Sequence, residues 1–248
     1  MNGGEEQTVR AVKRRSTFFL VAAALMTLFV FLGFLPSFYM RSQFRTEALP
    51  VYLTIHGLVM TAWQVLLLTQ TVLIATKRAQ LHRQLGFAGA GLAVVVVIVG
   101  VDATLKQPAR LAEAGIVLPF PLEDLVIGNL FGFTFFAALV AIAIVQRRNA
   151  ATHKRLLYWA GIVTIGPALT PARSLGEMIV PYFPMHFPPE IALGWVAWIG
   201  LLAHDWLSAR SFHPATIVGG MMLLFVSPAL LDWFLLIDGV RAWVGSLA

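Results

Sequence analysis

The stretch that decides the fold is GFAGAGLAVVVVIVGVDAT, Gly86–Thr104. It is apolar almost throughout, with no alternation of polar and apolar positions. A run of roughly twenty such residues is what a helix needs to cross a hydrocarbon core about 30 Å thick. Lipid offers the backbone no hydrogen-bond partners, so a spanning element must be a helix or part of a closed barrel. Barrel strands are roughly ten residues long and alternate. This stretch therefore predicts a transmembrane helix.

Comparable runs recur along nearly the whole chain. They predict an all-α, polytopic bundle of about seven spans: Thr17–Pro36, Val51–Thr76, Gly86–Thr104, Leu125–Gln146, Leu156–Leu175, Ile191–Leu207 and Pro214–Leu236. Residues 1–16 form a polar tail ending in KRR, and 17–248 a single transmembrane domain. The composition agrees: 58% of residues are hydrophobic and 12% charged, about half the charged share of soluble domains. The first run is too long for a secretory signal core and no A-x-A pattern closes it, so it reads as a retained span.

The basic residues set the expected orientation. With a cytoplasmic N-terminus, Arg10, Lys13, Arg14, Arg15, Lys77, Arg78, Arg83, Arg147, Arg148, Lys154, Arg155 and Arg210 fall inside. Arg41, Arg45, Lys106, Arg110 and Arg241 fall outside, an imbalance of about two to one in favour of that orientation. The net charge of +6 is explained by these loops and anionic headgroups, not by nucleic acid. Each of HR (His82, Arg83) and HK (His153, Lys154) marks the cytoplasmic start of an outward-going span. The segment Leu105–Asp124, with Pro108, Pro119 and Pro121, is expected to lie over the outer face. PYFPMHFPPE, residues 181–190, is too rich in proline for a helix and reads as a second outer segment.

Polar groups inside a membrane are the candidates for function. An inner layer holds His82, His153 and His204, with Asp205 beside the last and His213 in the next loop. Two neutral imidazoles facing each other could ligate a haem iron, three could hold a divalent metal, and the bland alternative is a histidine solvated or bonded to a headgroup at the membrane edge. An outer layer holds His56, Asp102, Asp124, Asn129, Arg173 and Glu177. Arg173 and Glu177 are spaced to pair along one helix face, and the cluster reads as an ion pair or a polar pocket. Gln70 is a candidate interhelical hydrogen bond; Gly86 and Ala90 form a small-xxx-small pair that allows close helix approach. Pro167, Pro171 and Pro228 are expected to kink or pack.

Several chemistries are excluded. The chain has no cysteine, hence no disulfide, thiolate metal site or covalently attached haem. No lysine sits mid-span to hold retinal, and no phosphate-loop, dinucleotide or H-E-x-x-H motif occurs in a suitable context.

With these motifs placed, the chain resembles a widespread group of uncharacterised bacterial multi-span membrane proteins. The shared pattern is His56 and Gln70 in one span, HRQLG at 82–86, HKR at 153–155, Arg173, and the ending HPATIVGGMMLLFVSPALL. The resemblance implies a bacterial inner-membrane bundle and no particular activity. Its histidine layout is distantly similar to membrane b-type cytochromes, which implies haem b as the cofactor to test. Three function classes stay open: a haem-b redox protein, a proton-coupled carrier, and a subunit assembling with membrane-protein partners or with itself.

Overall fold

The computed structural model describes residues 3–44, 48–118, 120–168 and 189–247, with side chains from Thr17 onward and, after the gap, from 192. Every regular element among them is helical. The longer ones are α1 (Gly3–Gly33), α2 (Val51–Ala75), α3 (Ala79–Glu113), α4 (Leu122–Val145), α5 (Ala150–Val163), α6 (Pro189–Ala209), α7 (Pro214–Leu235) and α8 (Asp238–Gly245). Four of them, α2, α3, α4 and α7, are long and apolar enough to cross a membrane.

The deciding stretch shows why lipid is the solvent. Along α3 the buried positions are Gly89, Ala93, Val96, Gly100, Ala103, Thr104, Pro108 and Leu111, which recur three and four apart on one face. The large aliphatic residues between them point outward: Ile98 is 62% exposed while Val96 is fully buried. Small residues inside and large ones outside is the pattern by which helices pack when the surroundings are as apolar as the core. At Gly100 an added Cβ would lie 2.1 Å from the Phe133 ring of α4, so glycine is required for that approach.

Neighbouring helices run antiparallel through short turns, and α2 packs on α3, α4 on α5, α3 on α4 and α1 on α2. Lys77 and Arg210, at φ 61° and 54°, close α2 and α6 in the left-handed conformation that commonly ends helices. Asn149 opens α5 by accepting a hydrogen bond from the Thr152 N–H at 3.2 Å. The main core joins α1 to α6 through Phe19, Met26, Trp63, Leu67, Val96, Phe136, Trp159 and Leu201. A smaller cluster seats Val244 of α8 against Val126 and Ile127 of α4.

Three expected boundaries move. Helix α3 continues through Pro108 to Glu113, so most of the segment expected as an outer connection is helical. Its polar residues extend the helix past the apolar run, and Pro108 is buried rather than breaking it. Helix α5 begins at Ala150, ahead of the apolar run, and ends at Val163 before a 3-10 turn at Gly166–Ala168. Helix α7 contains a π turn at Met222–Val226, immediately before Pro228. Proline lacks the N–H that would bond the carbonyl four residues back, and the wider turn absorbs that defect. A second π turn, Leu35–Tyr39, contains Pro36 and follows α1.

Candidate functional site

One end of the bundle gathers the turns α2–α3, α4–α5 and α6–α7, and with them Lys77, Arg78, Arg83, Arg147, Arg148, Lys154, Arg155 and Arg210. We call it the basic end. It holds two separate polar sites, and HKR at 153–155 is divided between them. His153 and Arg155 are two residues apart on α5, so their side chains point about 200° apart.

His153 turns toward α3 and α4. Its Nδ1 lies 2.8 Å from the Ala143 carbonyl, and its ring meets His82 edge to face at 6.3 Å between centroids. His82 is held by Gln70 at the end of α2. The surrounding donors and acceptors orient the Gln70 amide so that its nitrogen donates to His82 Nδ1 and to the His82 carbonyl (3.2 Å), while its oxygen accepts from the Gly86 N–H at 3.1 Å. The Gln70 backbone carbonyl is a further hydrogen-bond partner of the same ring. Gln70 thus clasps the first two turns of α3.

His204, the third histidine of the expected inner layer, sits elsewhere. It is buried against α1, stacked on Phe18 at 4.4 Å and edge-on to Phe19 at 5.3 Å. Bis-histidine haem requires two imidazoles with nitrogen lone pairs turned to one iron. His82, whose Nδ1 accepts from Gln70, carries its proton on Nε2 and presents no lone pair. The residues therefore do not fit haem b in this arrangement. Among the described residues no three His, Asp or Glu side chains come close enough to hold a metal ion.

Arg155 turns toward α6 and α7. Its Nε donates to Asp205 Oδ1 at 3.1 Å and to Thr216 Oγ1 at 3.2 Å; Nη2 donates to Asp205 Oδ1; Nη1 donates to the Ala151 carbonyl at 2.8 Å. Asp205 Oδ2 accepts from the Thr216 hydroxyl and from the His213 backbone N–H at 3.1 Å. Asp205 and Thr216 have no exposed surface and Arg155 only 5%, so the ion pair is buried, with both Asp205 oxygens and all three Arg155 nitrogens taking part in hydrogen bonds. Asp205, expected as a neighbour of His204, serves Arg155 instead.

Above this pair lies a pocket of about 250 Å³, lined by Lys154, Arg155, His204, Ser208, Ser211 and His213 among others. Lys154 also spans the Phe19 ring at 4.7 Å. His213 caps α7, its Nδ1 accepting from the Ala215 N–H at 3.1 Å. Burial, and after it the Arg155 guanidinium, hold the His213 imidazole below the ordinary histidine pKa of 6.5.

Of the expected outer layer, His56, Asp102, Asp124 and Asn129 lie within the described residues. His56 reaches the Val99 carbonyl of α3, and its Nδ1 has no hydrogen-bond partner among the described residues. Asp102 pairs with Lys106 on its own helix at 2.8 Å, both about half exposed, and Lys106 lies 5.1 Å from the Tyr52 ring. Asp124 stands at the start of α4 within electrostatic range of Asp232 and Arg241. Arg173 and Glu177 lie outside the described residues.

Midway along the bundle the sequence reading missed a polar contact. Gln64, 1% exposed, donates to Thr164 Oγ1 at 2.9 Å. A glutamine inside an apolar run was the available signal, as it was for Gln70. Comparison with protein-family models, curated proteins and solved structures finds no match for this chain.

Proposed function

We propose that the protein is a seven-span helical protein of the bacterial inner membrane, N-terminus cytoplasmic, that binds a small oxyanion at its cytoplasmic end. The alternating direction of α1 to α7 and the cations gathered at one end support that topology. The observation that carries the binding reading is the pocket between α5, α6 and α7: Lys154, Arg155, Ser208, Ser211 and His213 converge on one cavity. Cations and hydroxyls around a partly desolvated space suit a phosphate or sulfate group, which takes charge-assisted hydrogen bonds. Asp205 neutralises Arg155 from below, so the buried guanidinium at the pocket floor is not left uncompensated.

This reading favours the carrier class over the redox one, and places the working site at the basic end instead of around His56. The group bound is either a soluble solute or a lipid headgroup, since the pocket stands where headgroups would lie. Delipidated protein titrated with sulfate, followed by thermal melting in detergent, tests it. Sulfate also stabilises proteins by exclusion, so the triple variant K154Q/S208A/S211A is the control. Sulfate binding weakened about tenfold or more in the variant is the expected result. Equal responses from the two proteins overturn the pocket. Native mass spectrometry of gently extracted protein then separates the sources: co-purified anionic phospholipid identifies a headgroup, and lipid-free protein that binds sulfate identifies a solute.

A further inference from the structure

His213 holds two positions at once. Its backbone N–H is fixed to Asp205 Oδ2, inside the Arg155–Asp205–Thr216 network, so the backbone has little freedom. Its side chain lines the pocket and caps α7 through Nδ1, accepting from the Ala215 N–H. The cap requires a lone pair on Nδ1, hence a ring without a proton there. The neutral ring then carries its single proton on Nε2, so it can offer an anion one N–H and no charge. A second proton can enter only at Nδ1, where it ends the cap and adds a positive charge beside the cavity.

We infer that the pocket takes up its anion together with a proton on His213, the protonated imidazole leaving the end of α7 to donate to the anion. This rests on the oxyanion reading of the pocket and adds its coupling. The charged and titratable groups facing His213 are Lys154 and Arg155 from α5 and His204 and Asp205 from α6. Without an anion, burial first, then the Arg155 and Lys154 cations and the cap, disfavour a positive His213 and outweigh the opposing Asp205 carboxylate, in keeping with its depressed pKa. With an anion present the balance reverses, because the bound charge stabilises the imidazolium. Linkage then makes the effects reciprocal: the anion promotes protonation, and a falling pH promotes anion binding. Loss of the cap is offset by the new hydrogen bond, while the His213 backbone stays on Asp205.

Sulfate is the probe, because it remains a dianion from pH 5.5 to 7.5 and contributes no titration of its own. Its binding to the full chain in detergent is measured across that range. In parallel, calorimetry in two buffers of different ionisation heat counts the protons taken up. Wild-type affinity is expected to rise several-fold as pH falls through the ordinary histidine range, toward tenfold per unit where uptake approaches one proton. His213→Asn keeps a side chain able to cap a helix but unable to titrate. Its pH profile is expected to flatten. Wild-type binding with a flat profile and no proton uptake overturns the coupling and leaves the pocket standing. A slope that persists in His213→Asn also overturns it, moving the proton to another group such as His204. No sulfate binding at any pH overturns the pocket, and the coupling with it.

Discussion

Asp205 accepts from Arg155, Thr216 and the His213 backbone while wholly cut off from solvent. A carboxylate so placed is tolerable only because its charge is matched and its lone pairs are filled. Removing it alone strands the Arg155 guanidinium, at 5% exposure, without a counter-ion. Asp205→Ala is therefore expected to cost about 3–5 kcal/mol, read from denaturation in detergent. The double variant Arg155→Met/Asp205→Leu removes both charges and is expected to recover most of that loss, since a buried pair contributes little over well-packed apolar residues. A double variant as unstable as Asp205→Ala would show that the network holds α5, α6 and α7 in a way apolar packing cannot replace. His213 adds a pH dependence at the same scale. Its depressed pKa means that below about 6.5 the unfolded chain binds a proton that the folded chain refuses. Stability from this residue is thus fully present above that pH and is lost as pH falls.

Helix α7 meets α5 and α6 where two glycines face two tryptophans, Trp159 of α5 and Trp198 of α6. A Cβ at Gly219 would lie 2.1 Å from Trp159 Nε1, and one at Gly220 would lie 2.3 Å from the Trp198 indole. Trp159 is fully buried and donates to the Ala215 carbonyl at 3.0 Å, one turn before the glycine that admits it. Gly219→Ala must push that indole off its acceptor, and is expected to destabilise by about 1–3 kcal/mol with a shifted tryptophan emission. An unchanged melting temperature and spectrum would mean that the helices part without cost. The apolar runs around Gly219 and Trp159 were legible in the sequence, because length and hydropathy alone report them. The partnership was not, since it depends on which face of each helix turns inward. The same limit explains the histidines. Equal depth along the chain put His82, His153 and His204 in one layer, whereas depth says nothing about azimuth. Gln70 was correctly read as an interhelical hydrogen-bonding group, and its partner turned out to be His82. Asp205 stood out as a charge in an apolar run, but its counter-ion, Arg155, read as an ordinary loop cation.

At the scale of the whole molecule, the turns α2–α3, α4–α5 and α6–α7 share one end, and Arg41, Lys106, Arg110 and Arg241 lie toward the other. Twice as many described cations stand at the first end, a bias that in bacterial membranes marks the cytoplasmic side. The shortest of α1 to α7 is α5, whose regular part runs only from Ala150 to Val163. At ~1.5 Å per residue that is about 21 Å, short of the hydrocarbon core. The seven-span topology therefore hinges on whether the chain from α5 to α6 crosses. Reporter fusions decide this. A fluorescent protein fused after Arg148 or Arg210 is expected to glow, and alkaline phosphatase there to be silent. Phosphatase fused after Val117, Pro188 or Ile237 is expected to be active. If the fusion after Pro188 behaves like those after Arg148 and Arg210, α5 and α6 form a re-entrant pair and the span count falls to five. The pocket would keep its place at the basic end, because Lys154 and Ser208 stand at the ends of α5 and α6 on that side and His213 in the turn between α6 and α7 in either topology. If instead the fusions after Arg148 and Arg210 show active phosphatase, the bundle is inverted and the pocket opens to the outside, where a carrier taking anion and proton together would first meet its substrate.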